Sequence, residues 1–158
     1  MILSRIIQAT ALFLVLTQAS AATDPGAVIY KSECSACHIA YPTQFLSTQS
    51  WDAVLKNLSD HFGDNAELTP EDTAAVKLFL DNNNYDQSRI KRRYGNRFDS
   101  NGTPLRISET RIFRAIHHEI PARYVTQNPK VKSYANCSAC HRGADHGNFD
   151  EDEVRVPR

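Results

Sequence analysis

Two copies of one five-residue pattern constrain this chain more than any other feature. The pattern Cys-Ser-Ala-Cys-His occupies residues 34–38 and again residues 137–141, and these segments contain all four cysteines. Each has the C-x-x-C-H spacing typical of covalent attachment sites for c-type haem. Two thiols three residues apart reach the two vinyl groups on one edge of the porphyrin, and the adjacent histidine then binds the iron.

The repeated pattern predicts two covalently bound haem c groups. Their attachment residues are Cys34, Cys37, Cys137 and Cys140, and their proximal iron ligands are His38 and His141. Three alternatives stay open: one zinc ion held by paired C-x-x-C knuckles, two disulfides in an oxidising compartment, or a redox-active dithiol. All three leave the histidine after the second cysteine unexplained, twice, and paired zinc knuckles usually lie closer together.

The N-terminus predicts an export signal. Arg5 precedes the apolar run Ile6–Leu16, which is too short to span a bilayer, and small residues follow up to Ala22. We therefore expect a cleavable secretory signal at residues 1–21, with the cut after Ala21 or Ala22. An uncleaved membrane anchor is the alternative, and no later segment is apolar enough to cross a membrane. Because haem is attached after export in bacteria, we expect a periplasmic location.

The charges of the chain are divided unevenly along its length. Its 41% hydrophobic residues indicate a globular protein, and 18 basic against 18 acidic side chains give no reason to expect nucleic-acid binding. Residues 22–85 carry a net charge of −6, residues 86–143 of +8, and residues 144–158 of −3. The densest basic cluster comprises Arg89, Lys91, Arg92, Arg93 and Arg97. This cluster either solvates a loop and neutralises nearby acids, or docks an acidic protein redox partner.

The second axial ligand of each iron decides what the irons can do. Met1 is the only methionine and leaves with the predicted signal, so a lysine, an open position or a second histidine remains. His146 lies only five residues past His141, which leaves little chain for a reversal to the opposite face of the same porphyrin. The unassigned histidines are His61, His117, His118 and His146.

Helical geometry ranks these histidines. On a helix over residues 51–62, His61 lies about 75° from the centre of the apolar stripe. On a helix over residues 109–119, His117 lies about 85° from that centre and His118 on nearly the opposite side. We therefore expect His61 and His117 to be the distal ligands. Proximity in sequence pairs His38 with His61 and His141 with His117, although exchanged pairing remains open.

The other local signals predict helices joined by turns, without a convincing strand. Pro42 stops the helix that enters the first motif, and a carbonyl just before it is expected to accept the ring N–H of His38. The helix caps are expected at Ser50, Thr69 and Ser108. The expected helices run from Ala27 into the first motif, from Trp51 to Phe62, from Pro70 to Asn82, from Glu109 to about Glu119, and near Ser133.

The chain resembles the bacterial dihaem cytochrome c family. The resembling segments are residues 34–42 with the preceding Glu33, Ser50-Trp51, His61-Phe62-Gly63, residues 106–110, His117 with Glu119-Ile120, and residues 136–158. The resemblance implies an all-α protein with a class I cytochrome c-like haem domain over residues 22–84 and a small, irregular haem domain over residues 108–158. Residues 85–107 would form a basic linker between them.

The resemblance also implies low-spin His/His coordination of both irons, and a donor to a small oxygen-binding haem protein. We therefore interpret the chain as a periplasmic electron carrier that passes single electrons between redox partners and is not an enzyme. The alternatives are a dihaem peroxidase or small-molecule reductase, with His118 or Glu119 as its acid–base group, and a gas-binding protein. Both alternatives require one open iron.

Overall fold

The protein is described by a computed structural model that covers residues 23–95 and 102–158. The expected signal at residues 1–21, and Arg97 of the basic cluster, lie outside the described residues. Within them, five α-helices are joined by single turns of 3-10 helix. The helices are α1 (Pro25–Cys34), α2 (Thr48–Lys56), α3 (Pro70–Asn83), α4 (Arg89–Tyr94) and α5 (Arg111–His117). The only extended pairings of the described chain are two isolated bridges, so the predicted helical class is confirmed.

Side-chain caps determine where these helices begin. Thr69 accepts a hydrogen bond from the backbone N–H of Asp72 and starts α3, as predicted. Helix α2 is capped by Ser47 and ends at Lys56, so the prediction of a helix from Trp51 to Phe62 capped by Ser50 was wrong. Ser50 is instead fully buried, and the Ser47 hydroxyl donates to its oxygen. Two serines three residues apart compete for the cap, and burial of one decided between them.

The core of the first half lies between α1, α2 and α3. Its buried members are Tyr30, Leu46, Trp51, Val76 and Leu80. The indole N–H of Trp51 donates to the Thr43 carbonyl at 2.8 Å, which ties the turn after the first motif to this core. Helix α1 approaches α3 so closely at Gly26 that a Cβ atom there would lie 2.2 Å from the Ala75 carbonyl oxygen. Only glycine permits this approach.

The second half, from residue 102 onward, is held mainly by turns. Its buried apolar side chains are Val125, Val131 and Ala144. No α-helix forms near Ser133, where one was expected; the chain makes turns there, and Lys132 adopts a φ of 68°, outside the range of a right-handed helix. The C-terminal tail folds back onto this half, where the Asn128 side chain donates to the Pro157 carbonyl at 2.8 Å. Helix α5 begins after Thr110 rather than Ser108.

The range interpreted as a linker, residues 85–107, contains ordered structure. Helix α4 occupies its first part, and Ile107 at its end packs against the core of the first half. Tyr85 is buried, and its backbone N–H donates to the Leu46 carbonyl at 2.9 Å. None of the helices in the described ranges has the length and hydropathy needed to cross a membrane.

Candidate metal centres

The structure brings the four predicted iron ligands together as two pairs. The ring centroids of His38 and His61 lie 6.2 Å apart, with their planes inclined by 29°. The centroids of His117 and His141 also lie 6.2 Å apart, with their planes inclined by 71°. These are the pairs expected from proximity in sequence, and not the exchanged ones.

This separation fits one metal ion held between two imidazoles. A nitrogen bonded on each side at about 2 Å, with each ring centre about 1 Å farther out, places the centroids roughly 6 Å apart. Both pairs have this spacing. His61 also lines a cavity of about 380 Å³ beside Val54 and Arg106. The residues present therefore fit a haem iron between each pair.

Backbone carbonyls orient two of the four rings. His38 Nδ1 lies 2.7 Å from the Ile39 carbonyl, and His117 Nδ1 lies 3.0 Å from the Phe113 carbonyl. Since a carbonyl only accepts, the proton is on Nδ1, and the Nε2 lone pair is free to bind a metal. The carbonyl just before Pro42, expected to serve His38, belongs to Tyr41 and accepts from the Tyr30 hydroxyl instead.

His141 differs from these two rings because its Nδ1 is buried and has no hydrogen-bond partner among the described residues. A buried polar atom without a partner costs free energy, and native proteins rarely leave one. Burial, followed by the neighbouring His117, lowers the pKa of His141. The neutral imidazole is the form that binds a metal. Unlike His38 and His117, His141 is therefore not oriented by a backbone carbonyl at Nδ1.

A strained turn presents His61. The predicted helical position of this residue was wrong: the helix ends at Lys56, and His61 follows a 3-10 turn and bridges to Asp64. Phe62 has a φ of 58°, which is rare for a bulky side chain, and Gly63 has a φ of 104°. Backbone strain of this kind persists only where surrounding contacts hold it.

Arg106 supplies one of these contacts. Its guanidinium carbon lies 3.9 Å from the centre of the Phe62 ring, and its side chain reaches Glu109 at 4.0 Å. Burial, followed by the His38 and Arg106 charges, lowers the pKa of His61 below its usual value. A lowered pKa favours the neutral imidazole, which is the form that binds a metal.

Cys34, Cys137 and Cys140 lack the low thiol pKa values that a redox-active pair requires. None of the four is in a disulfide. Burial raises the pKa of Cys34 to about 11 and also raises the pKa values of Cys137 and Cys140. A redox-active dithiol requires the opposite shift, toward the thiolate. Within residues 23–95 and 102–158, no group of three or more cysteine, histidine or carboxylate side chains could hold a metal ion such as zinc.

Two aromatic side chains lie beside His38 and His141 and were not predicted from the sequence. Tyr41 stacks on His38 with ring centroids 4.8 Å apart, and Phe149 lies 5.4 Å from the His141 ring. Each follows its motif within a short turn, at three and eight residues past the histidine. An aromatic residue shortly after a haem motif would have been the signal to look for.

The two remaining histidines lie outside the pairs. The His118 side chain is 67% exposed and approaches Glu119 at 3.7 Å, as expected for a solvent-facing residue. His146 is exposed at the end of a 3-10 turn that follows the second motif. Phe113 stacks on His117 at 3.9 Å with a plane angle of 10°.

Comparison with known proteins adds an independent line of evidence. The sequence model of a family described as dihaem cytochrome c matches residues 30–149. A solved dihaem cytochrome c from Shewanella baltica is 38% identical over 84% of this chain and 94% of its own, with a TM-score of 0.69. A dihaem cytochrome c from Rhodobacter sphaeroides is 37% identical over 77% of this chain and 95% of its own, with a TM-score of 0.65. No protein with a curated description matches significantly.

Proposed function

The chain belongs to the dihaem cytochrome c family, and we propose that it is an exported carrier that passes single electrons between redox proteins. Its family membership gives it two covalently bound haem c groups, and electron transfer is the chemistry that the family suggests. The observation that carries the proposal is the presence of two imidazole pairs with the same 6.2 Å separation.

The proposal assigns one haem to each motif. Cys34 and Cys37 would hold the first, and Cys137 and Cys140 the second, through thioether bonds. His38 with His61, and His141 with His117, would bind the irons axially. The bound haem supplies a one-electron iron couple, and imidazole in place of methionine lowers its reduction potential. With an imidazole on each side, neither iron would have an open position, which supports a carrier and argues against an enzyme or a gas-binding protein.

We extend the proposal to the organisation of the chain. One haem unit would comprise residues 22–84, built on helices α1 to α3 like a class I cytochrome c. The other would comprise residues 108–158, which contain helix α5 and the 3-10 turns of the second motif. Residues 85–107 would join them and carry helix α4. The compact helical core of the first unit and the turn-rich second unit support this division.

The proposed location and partners follow from charge and from the N-terminus. Residues 1–21 have the pattern of an export signal, which supports a periplasmic location. Helix α4 presents a dense basic surface that includes the exposed residues Arg89 and Arg92. Such a surface would dock an acidic redox protein, and we propose a small oxygen-binding haem protein as the acceptor. Charge complementarity of this kind increases the rate of encounter more than the affinity.

The test uses the exported, purified protein. Mass spectrometry should find two haem groups on one chain. Electron paramagnetic resonance (EPR) of the oxidised protein should show only low-spin iron, and the reduced protein should not bind carbon monoxide. A stable high-spin signal or carbon monoxide binding would contradict the assignment as a carrier and favour an enzyme or a gas-binding protein. A haem count other than two would refute the whole assignment.

A further inference from the structure

Each proximal histidine packs against an aromatic side chain that also reaches the other half of the protein. We propose that Tyr41 and Phe149 are positioning residues that couple the two haem units. In this arrangement the orientation of each proximal ligand depends on a contact with the opposite unit. The inference rests on the proposed function, because it takes His38 and His141 as the iron ligands of the two units.

Tyr41 makes the first connection. Its ring stacks on His38, with centroids 4.8 Å apart and planes inclined by 26°. Its hydroxyl donates a 2.8 Å hydrogen bond to the Ala135 carbonyl, two residues before the first cysteine of the second motif. The Tyr41 backbone is also fixed to the core, because its carbonyl accepts a 2.5 Å hydrogen bond from the buried Tyr30 hydroxyl. Tyr41 therefore joins the first core, the first proximal ligand and the second motif.

Phe149 makes the second connection, in the opposite direction. Its ring lies 5.4 Å from His141, with planes inclined by 53°. Its other neighbour is Phe45, in the turn just after the first motif, at 5.2 Å and 71° in an edge-to-face arrangement. Edge-to-face aromatic pairs add stability beyond the area they bury. His141 therefore packs against Phe149, a side chain that also contacts Phe45 of the first unit.

The consequence of these two contacts is reciprocal coupling. If the junction between the units opens, His38 loses an anchored ring on one face and His141 loses the support behind Phe149. By linkage, a change in ligand geometry at one iron alters the stability of the junction and hence the other iron. The contact with Phe149 matters most for the orientation of the His141 ring, because the Nδ1 atom of His141 has no hydrogen-bond partner in the described chain.

The first test is Tyr41→Phe in the haem-loaded protein, since this variant keeps the ring on His38 and removes only the hydroxyl. Hydrogen exchange should accelerate about fivefold at the Asn136 and Ala139 amides, which are hydrogen-bonded beside Ala135. Fivefold corresponds to the loss of one hydrogen bond worth about 1 kcal/mol. The hyperfine-shifted NMR signals of the second haem should also move, although the substitution lies in the first unit. Exchange and shifts equal to those of the wild type would overturn the inference.

A second variant covers the other connection. Phe45→Leu removes the edge-to-face contact without touching either motif or any histidine. It should shift the NMR signals of the second haem and leave those of the first haem less affected. If neither Phe45→Leu nor Tyr41→Phe shifts the signals of the second haem, the proposed coupling does not exist.

Tyr124→Phe is the matched control, because this tyrosine is exposed beside Arg123 and away from the junction. It should leave both the exchange rates and the haem signals unchanged, and a shift equal to that of Tyr41→Phe would also refute the coupling. The proposed function is judged on the wild type alone, by its haem count and spin state. The coupling is judged only on differences between variants, so the two can fail separately.

Discussion

The guanidinium of Arg106 covers the ring of Phe62 at 3.9 Å, although the two residues belong to different halves of the chain. Phe62 follows His61 and has the positive φ of a strained turn. The contact therefore holds in place the segment that presents a proposed iron ligand. The Asp60 carboxylate assists by accepting from the Gly63 N–H at 3.1 Å.

Arg106→Gln should weaken this turn. We expect a loss of about 0.5–1 kcal/mol in the free energy of unfolding, the value of a cation–π contact at an exposed site. A small high-spin fraction should appear as His61 becomes less well held. Chemical denaturation and optical spectra measure the two effects. Arg123→Gln is the control, since it removes a similar contact with Tyr124 beyond both histidine pairs. A high-spin fraction in the control as large as in Arg106→Gln would contradict the argument.

Removal of either distal histidine should open one iron and leave the other closed. His61→Ala and His117→Ala should each produce one high-spin haem that binds carbon monoxide, because the partner imidazole 6.2 Å away is lost. EPR and carbon monoxide titration measure the change. His118→Ala and His146→Ala are the matched controls and should retain two low-spin haems. A closed site in His61→Ala or His117→Ala would show that another residue is the ligand.

The two irons should give different low-spin EPR signals. The imidazole planes are inclined by 29° in the first pair and by 71° in the second. The orientation of axial ligands is one of the ways in which a protein tunes a haem. The near-perpendicular pair should give the more anisotropic signal. His117→Ala should remove that signal selectively, and its loss in His61→Ala instead would reverse the assignment.

Alkaline pH should destabilise the protein through Tyr30. Burial raises the pKa of this hydroxyl far above its usual value of about 10. Above pH 10 the unfolded chain loses this proton and the folded chain keeps it, so unfolding becomes more favourable by up to about 1.4 kcal/mol per pH unit. The stabilising contribution is complete below pH 10. Urea unfolding between about pH 8 and pH 11 measures the slope.

Tyr30→Phe is the comparison for that slope. The variant should be less stable at neutral pH by about 1 kcal/mol, because the hydrogen bond to the Tyr41 carbonyl is lost. Above pH 10 its stability should fall less steeply than that of the wild type. Equal slopes in the two proteins would show that Tyr30 ionises normally in the folded state.

Ionic strength should affect electron exchange according to the charge of the reagent. Oxidation by hexacyanoferrate, an anionic one-electron reagent, should slow several-fold as salt rises, because the Debye length shortens from about 30 Å at 0.01 M to about 8 Å at 0.15 M. Arg92→Glu on helix α4 should slow it at low salt, and Lys56→Glu on helix α2 should have a smaller effect. A rate that is independent of salt would contradict the proposal that the basic surface of helix α4 is a docking site.

Local chemistry made much of this protein predictable. The Thr69 cap and the proline after it start helix α3 as expected, because a capping hydroxyl needs only the amide three residues away. The structure places His117 beside His141 and leaves His118 exposed, which is the order that the helical angles gave, although Ile116 of the expected apolar stripe is 66% exposed.

Other features depended on contacts that a single segment does not contain. The position of His61 was predicted from a helix that in fact ends at Lys56, where the C-cap residue Asn57 leaves the helical conformation. His61 nevertheless lies beside His38, held by a turn that Arg106 braces from the other half of the chain. A local pattern does not contain the partner that stabilises a strained backbone.

By itself the sequence determined that four thiols stand in two haem-attachment motifs and that residues 23–158 contain no methionine, which left a histidine, a lysine or an open position on the second side of each iron. These conclusions depend on residue chemistry and short spacing. Only the tertiary structure decided which histidines face each other, and that Tyr41 and Phe149 join the two halves. The physical reason is that packing and hydrogen bonds between distant segments select one arrangement among many that the local pattern allows.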